Sequence, residues 1–486
     1  MQVLIWHRRK RKFLYIFVIF CLLFSFYMTF VMLNTDKGHN LIGGGADIQF
    51  KDPFLHPKDI LPALKGRKGN KVAGPLVDAQ QSIQDSNESK QHLAGQDLAD
   101  DRNNNPLQNN EMEEHVLAKH ELEKTHFKLY SDIKPNYNVH IFYYPWYGNL
   151  EHDGDYFHWD HVYIQHWKPE EAVKWPSGKH NPPDDLGSSY YPQLGPYSSS
   201  DKEVVEKHME MMLNAGIGVV VVSWYPPGDA DKEGKDPDSL MPLILDSAHK
   251  FGLKVAVHIE PYKNRDPTTM RENMKYLFQS YGNHPAFYRK DHNGRQLPVV
   301  YIYDSYHTPS NDWAQLLKPD GKISVRNTEL DALFIGLLVE FNHQKELLDG
   351  GFDGFYSYFA ANGFTYGSSW HRWKEIDSFA KLHNLLFIPS VGPGYIDTEV
   401  RPWNGANTRK RLEGKYYRDA FQNAITMKPE ILSITSFNEW HEGTQIEPAI
   451  TKIIPKRNYL DYGKNGPDFY LKITKEWVDK FTSLSV

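Results

Sequence analysis

The sequence predicts a (β/α)8 barrel of the TIM type, with loop insertions, over residues 137–486, preceded by a transmembrane helix and a disordered stem. Three observations carry this reading. From about residue 137 onward, short β-branched or aromatic runs alternate with longer helical patterns, as expected of strand–helix units around a parallel sheet. About eight such runs fall within about 350 residues, the size of a barrel with insertions. The residues just past those runs are repeatedly Tyr, Trp, His, Asp or Glu, as if strand ends converged on one functional rim.

Taken in order, residues 1–12 form a basic tail with Arg8-Arg9-Lys10-Arg11-Lys12, and residues 13–33 form a charge-free apolar run. As a helix rising about 1.5 Å per residue, that run is long enough for a hydrocarbon core of about 30 Å. The basic flank places the tail in the cytosol. A cleaved signal peptide, the competing reading, would have an apolar region of only about 7–15 residues ending in small side chains. Met28, Phe30, Met32 and Leu33 are bulky instead, so a retained type II anchor with a luminal domain is expected. Residues 34–136 are polar and biased, with Gly43-Gly44-Gly45 and Asn103-Asn104-Asn105. Such a segment buries too little apolar surface to offset its chain entropy, which predicts a flexible luminal stem with at most a short helix near 110–128. Asn87-Glu88-Ser89 is a candidate glycosylation site that fits luminal exposure.

The predicted barrel strands are 139–144, 217–224, 254–259, 299–303, 332–338, 354–358, 385–391 and 431–436. Ser200 is placed to cap a helix over 201–215 that stops at Gly216, and 240–251 ends at Gly252. Further crossover helices are expected at 269–281, 368–384 and 415–427. The fourth and fifth helices are short and weakly patterned, so a doubly wound open sheet is the competing architecture.

Composition excludes several functions. A net charge of −6 offers no basic field for a phosphate backbone, so no nucleic acid partner is expected. The single cysteine, Cys21, lies in the apolar run and leaves no thiol elsewhere for a disulfide, a thiolate zinc site or thiol catalysis. Gly392-x-Gly394 and Gly350-Gly351 lack the rest of a nucleotide-binding signature and read as turns. His158-Trp159-Asp160-His161 and His180-Asn181-Pro182-Pro183-Asp184-Asp185 carry nitrogen and oxygen ligand types without compact metal spacing. They predict loop-stabilising hydrogen bonds, and neither metal nor cofactor is expected; a metal-dependent carbohydrate hydrolase or deacetylase is the rival they leave.

Chemistry concentrates in Ser436-Phe437-Asn438-Glu439-Trp440-His441-Glu442-Gly443, just past the last predicted strand. Two carboxyls can divide acid and base roles there, and Trp440 offers an aromatic face for a pyranose. Other strand ends contribute Tyr144 and Trp146, Trp224 and Tyr225, His258 and Glu260, Tyr358, and Tyr395. Aromatic faces stack on sugar C–H faces while carboxylates and amides bind hydroxyls, so these residues with Asn438 are candidate substrate contacts.

Residues 436–447, with 142–148, 180–189, 223–227, 258–262 and 389–398, resemble the endo-α-1,2-mannosidases of glycoside hydrolase family ninety-nine. The resemblance runs from about residue 139 to about 477 and includes the short tail and single anchor. It implies a Golgi type II membrane protein that cuts the α-1,2 bond beneath a glucose-capped mannose of a high-mannose N-glycan, releasing glucosyl-mannose with retention. It also implies that no protein nucleophile attacks: a carboxylate deprotonates the mannose 2-hydroxyl, which forms a 1,2-anhydro sugar. Carried over, Glu439 matches that base and Glu442 the acid that protonates the leaving oxygen and later activates water, while Tyr144, Trp224, Tyr225, His258, Glu260 and Tyr358 match cleft contacts. A luminal paralogue that holds glycans without cutting them is the alternative from another class.

Overall fold

The computed structural model describes residues 133–484 apart from 230, 232 and 456, so the expected tail, anchor, short stem helix and Asn87 lie outside the described residues. Among the described residues, no helix is long and apolar enough to cross a membrane. The barrel strands are β1 (Asn136–Tyr143), β2 (Ile217–Trp224), β3 (Lys254–Ile259), β4 (Arg295–Ile302), β5 (Leu333–Leu337), β6 (Gly354–Tyr356), β7 in two segments (Leu386–Ile388 and Ser390–Val391) and β8 (Leu432–Ile434). They pair in parallel in that order, and β8 returns to β1 with His140 opposite Ser433. The first segment of β7 pairs with β6 and the second with β8. Pro389 interrupts the strand because it has no N–H for the ladder, yet its carbonyl still accepts from Ser433 N at 3.1 Å. The strand order is that of a nearly closed barrel and not of a doubly wound open sheet.

Eight helices of eight or more residues follow among the described residues: α1 (Lys202–Asn214), α2 (Met241–Lys250), α3 (Pro267–Ser280), α4 (Ser310–Leu317), α5 (His343–Gly350), α6 (Trp373–Leu382), α7 (Lys415–Thr426) and α8 (Phe469–Leu484). The α1 cap is Asp201, which accepts from Glu203 N, and not the expected Ser200. Ser200 instead donates to Asp153 at 2.9 Å. Helices α4 and α5 have only 8 residues each, too few for a clear amphipathic period. A strand and a long helix beside the barrel units went unpredicted. The strand Arg289–His292 pairs antiparallel with the start of β4 across Asn293-Gly294, both at positive φ. Helix α8 buries Tyr470, Ile473, Thr474, Trp477, Val478 and Phe481 and stacks Trp477 on Phe421 of α7 at 5.6 Å.

Strand alternation sorts the side chains into two layers. Val220, Val222 and Trp224 of β2 belong to the apolar layer beneath the helices, as do Ile141 and Tyr143 of β1. The barrel interior is aromatic. Phe142 lies 4.8 to 5.7 Å, ring centre to centre, from His258, Tyr301, Tyr356 and Tyr358. The polar ends of these rings are paired, His140 Nδ1 with Tyr301 Oη at 2.7 Å and His258 Nε2 with Tyr356 Oη at 2.7 Å. Wide rings therefore fill the barrel without orphaning their polar atoms. At Gly218 of β2 a Cβ would stand 2.3 Å from the Asn136 carbonyl, where β1 shifts register, so only glycine lets the two backbones approach.

Candidate active site

The turn after β8 is held by its own polar groups. Ser436 Oγ accepts from Glu439 N at 2.8 Å, Ser436 N donates to Thr444 O at 3.0 Å, and Gly443 N closes on Trp440 O at 3.2 Å. Gly443 has φ 58° and its missing Cβ would meet Ile396 at 2.5 Å, so the turn needs glycine there. From outside, Arg411 Nη2 donates to Gly443 O and Gln445 O at 2.9 and 2.7 Å. The result is an irregular turn, not a helical one, that delivers Glu439 and Glu442 to the C-terminal mouth of the barrel.

Both carboxyls are almost fully buried. Burial, joined by the charge of Glu442, pushes Glu439 well above the ordinary carboxyl range. Burial likewise raises Glu442 to about 7, opposed by Arg401 and aided by Asp397 and Glu260. Their hydrogen bonds differ. The backbone N–H groups of His441, at 3.0 Å, and of Glu442 donate to the Glu439 carboxyl. Such donors favour the ionised form of Glu439 and offset part of that rise.

The raised Glu442 value links to stability. Folded chain holds this proton up to about pH 7, whereas at the ordinary value of 4.5 unfolded chain has released it. The contribution is therefore fully present below pH 4.5 and lost as pH rises through about 7, a difference of ~3 kcal/mol. Urea midpoints taken from pH 4.5 to 8 should decline less steeply for Glu442→Gln than for the unmodified chain; parallel curves would refute the raised value.

Around the pair, the structure gathers most of the predicted contacts. Tyr144 and Tyr358 join hydroxyl to hydroxyl, and burial with nearby carboxylates keeps both phenols protonated. Tyr358 adopts φ 48°, a costly backbone state for a non-glycine residue, with its N–H on Ser390 Oγ. Glu260 accepts from Ser223 Oγ at 2.8 Å and lies 3.2 Å from His258 Nδ1. Tyr225 is raised by burial and then by Glu260. Tyr395 donates to Asp397 Oδ2 at 2.9 Å. Trp146 stacks on His158 at 4.6 Å and packs against Tyr144.

Three expectations are corrected. Trp224 follows inward-facing Ser223, so alternation turns it to the helix layer, where its indole donates to Asp238 at 2.8 Å. Trp440 is fully buried behind the turn, donating to Glu447 Oε2 at 3.0 Å, and offers no sugar face. Asn438 spends its amide on Tyr144, accepting from its N at 2.8 Å and donating to its O at 2.9 Å, so it ties β8 to β1 instead of facing substrate.

Sequence reasoning missed the support beneath. Glu447 accepts from Tyr197 and lies 3.2 Å from His208, all buried. Asp397 Oδ2 receives Arg401 at 3.2 Å and Asn404 at 2.9 Å beside Glu442. The histidine clusters do form loop contacts. His158 pairs with Asp231 at 2.9 Å, His180 with Asp185 at 2.9 Å, and neutral His441 with Gly187 O at 2.8 Å. Among the described residues no three His, Cys, Asp or Glu side chains form a group able to hold a metal ion.

A parallel barrel with two buried, interacting carboxyls among phenols at its C-terminal mouth is the architecture of a barrel glycosidase. Residues 134–483 match the family model described as glycosyl hydrolase family 99. The chain is 55% identical over 355 residues to the glycoprotein endo-alpha-1,2-mannosidase-like protein of Homo sapiens, covering 73% of this chain and 76% of that one. It is 55% identical over 348 residues to the glycoprotein endo-alpha-1,2-mannosidase of Xenopus laevis, covering 71% and 78%. The GH99 endo-alpha-mannosidase from Bacteroides thetaiotaomicron superposes with a TM-score of 0.67 at 45% identity, over 72% of this chain and 99% of that one. The chain belongs to glycosyl hydrolase family 99 and is a glycosidase.

Proposed function

We propose that the protein is a retaining endo-α-1,2-mannosidase that cuts beneath a glucose-capped mannose in high-mannose N-glycans. The observation that carries the reading is the Glu439 and Glu442 pair, buried together with their proton affinities raised. Glu439 takes the proton of the mannose 2-hydroxyl as O2 attacks C1. Glu442 gives its proton to the departing oxygen, and a 1,2-anhydro mannose forms. Glu442, now ionised, takes a proton from water as that water adds to C1. The strained ring opens, O2 recovers its proton from Glu439, and both residues return to their starting states. Two inversions at C1 give net retention. The phenols of Tyr144 and Tyr358, with Tyr225 and Glu260, are proposed to hold the glucose and mannose hydroxyls.

Incubating the full chain with labelled glucosylated high-mannose glycan should release a glucosyl-mannose disaccharide. Release of single sugars, or no release, would overturn the reading. The chain is further proposed to be a Golgi type II membrane protein, a reading supported by the basic flank and the apolar run 13–33.

A further inference from the structure

A loop over residues 162–179 leaves the barrel mouth and returns on itself. Val162 bridges Lys179, Tyr163 N donates to Gly178 O at 2.9 Å, and the Gln165 amide donates to Pro176 O at 3.0 Å. Between these ties the loop presents apolar side chains to solvent: Trp167 is 56% exposed, Trp175 38% and Val173 85%. Large aromatic side chains held in solvent in this way are candidates for binding a partner surface.

Its aromatic part is built, not loose. Trp167 stacks on His166 with ring centres 3.9 Å apart and planes 24° apart. Trp403 stands perpendicular to both, at 5.1 Å from Trp167 and 5.3 Å from His166. The Trp403 indole is fixed by donating to Ile164 O at 2.9 Å, and the His166 imidazole by accepting from Lys168 N at 3.1 Å. Together the rings make a right-angled corner.

The corner is tied by its backbone to the segment that supports Glu442. Ile164 N donates to Val400 O at 2.8 Å, and the same segment carries Arg401 and Asn404, which hold Asp397. The charges of Arg401 and Asp397 act on Glu442. Trp403 thus lies on the segment whose Arg401 and Asn404 hold Asp397 beside Glu442, the carboxyl assigned to the leaving group.

We propose that the corner formed by Trp167, His166 and Trp403 is an accessory subsite that stacks a hexopyranose ring of the same glycan, beyond the first sugar past the cleaved bond. This rests on the endomannosidase reading. The charged residues beside it, Lys168, Glu170, Glu171 and Lys174, balance in sign, which suits a neutral ligand and not an anionic lipid surface. Two perpendicular ring faces suit a pyranose, which presents C–H faces and an equatorial edge. A second copy of the chain would need about 800 Å² of matched surface, far more than one ring-sized corner.

The test compares kcat/KM of the full chain on two probes sharing the cleaved bond: the complete glucosylated high-mannose glycan, and a glucosyl-mannosyl-mannose methyl glycoside that ends one ring past it. Trp167→Ala should lower the long-to-short ratio by roughly three- to tenfold, the size of an aromatic stacking loss. Trp167→Phe, which keeps a flat face, should restore most of it. An unchanged ratio in Trp167→Ala would overturn the subsite while leaving the parent reading intact. Failure of the unmodified chain on both probes would bring down the parent reading, and the subsite with it.

Discussion

Glu442→Gln should fold normally and turn over the glycan roughly 10²–10⁴-fold more slowly. The departing sugar oxygen is strongly basic and needs a proton as the bond breaks; glutamine has the shape of the protonated acid but cannot surrender one. The side chain that loses this function is buried beside Arg401 and Asp397, where glutamine preserves packing. The defect should therefore be confined to the need for a proton. A glucosyl-mannosyl substrate with a nitrophenolate leaving group departs without one, so its first turnover should be nearly as fast in the variant as in the unmodified chain. The second step still needs Glu442 to activate water, so steady turnover should remain slow after that burst. Equal loss of burst and steady rates would exclude the acid role.

Much of this arrangement was readable from the chain because barrel strands leave a local imprint. The runs 217–224 and 254–259 coincide with β2 and β3 because a strand buried on both faces has to be continuously apolar. The rim was readable for a related reason: polar and aromatic residues directly after such runs have few other purposes. Side-chain direction was less legible. Trp224 could have been placed by alternation from Ser223, since only one of two neighbours on a strand faces the barrel. Trp440 could not, because an irregular turn has no period. Its partners Tyr197 and Glu447 lie 250 residues apart and meet only in the folded chain. The unpredicted strand at Arg289–His292 did carry a signal, since Asn293-Gly294 supplies the two positive φ angles of a tight hairpin. Helix α8 carried one too, in the helical spacing of Tyr470, Ile473, Trp477 and Phe481.

The sharper test falls on Glu439, because the proposed chemistry makes the substrate supply its own nucleophile. Glu439→Gln should lower turnover by a similar roughly 10²–10⁴-fold. Its Oε1 can still accept from His441 N, so the turn and the affinity for a glucosyl-mannose ligand, read by calorimetry, should stay within a few-fold. Here a better leaving group should not help. Without a base the 2-hydroxyl keeps its proton and attacks poorly however readily the other bond breaks, so the nitrophenolate burst should be lost as well. The two variants thus separate along one axis, the acid variant rescued in its first turnover and the base variant not. Removing the mannose 2-hydroxyl from the substrate should reproduce the base variant in the unmodified chain. Hydrolysis of that 2-deoxy substrate at an ordinary rate would mean that a protein carboxylate attacks C1 directly, and Glu439 would then be a nucleophile.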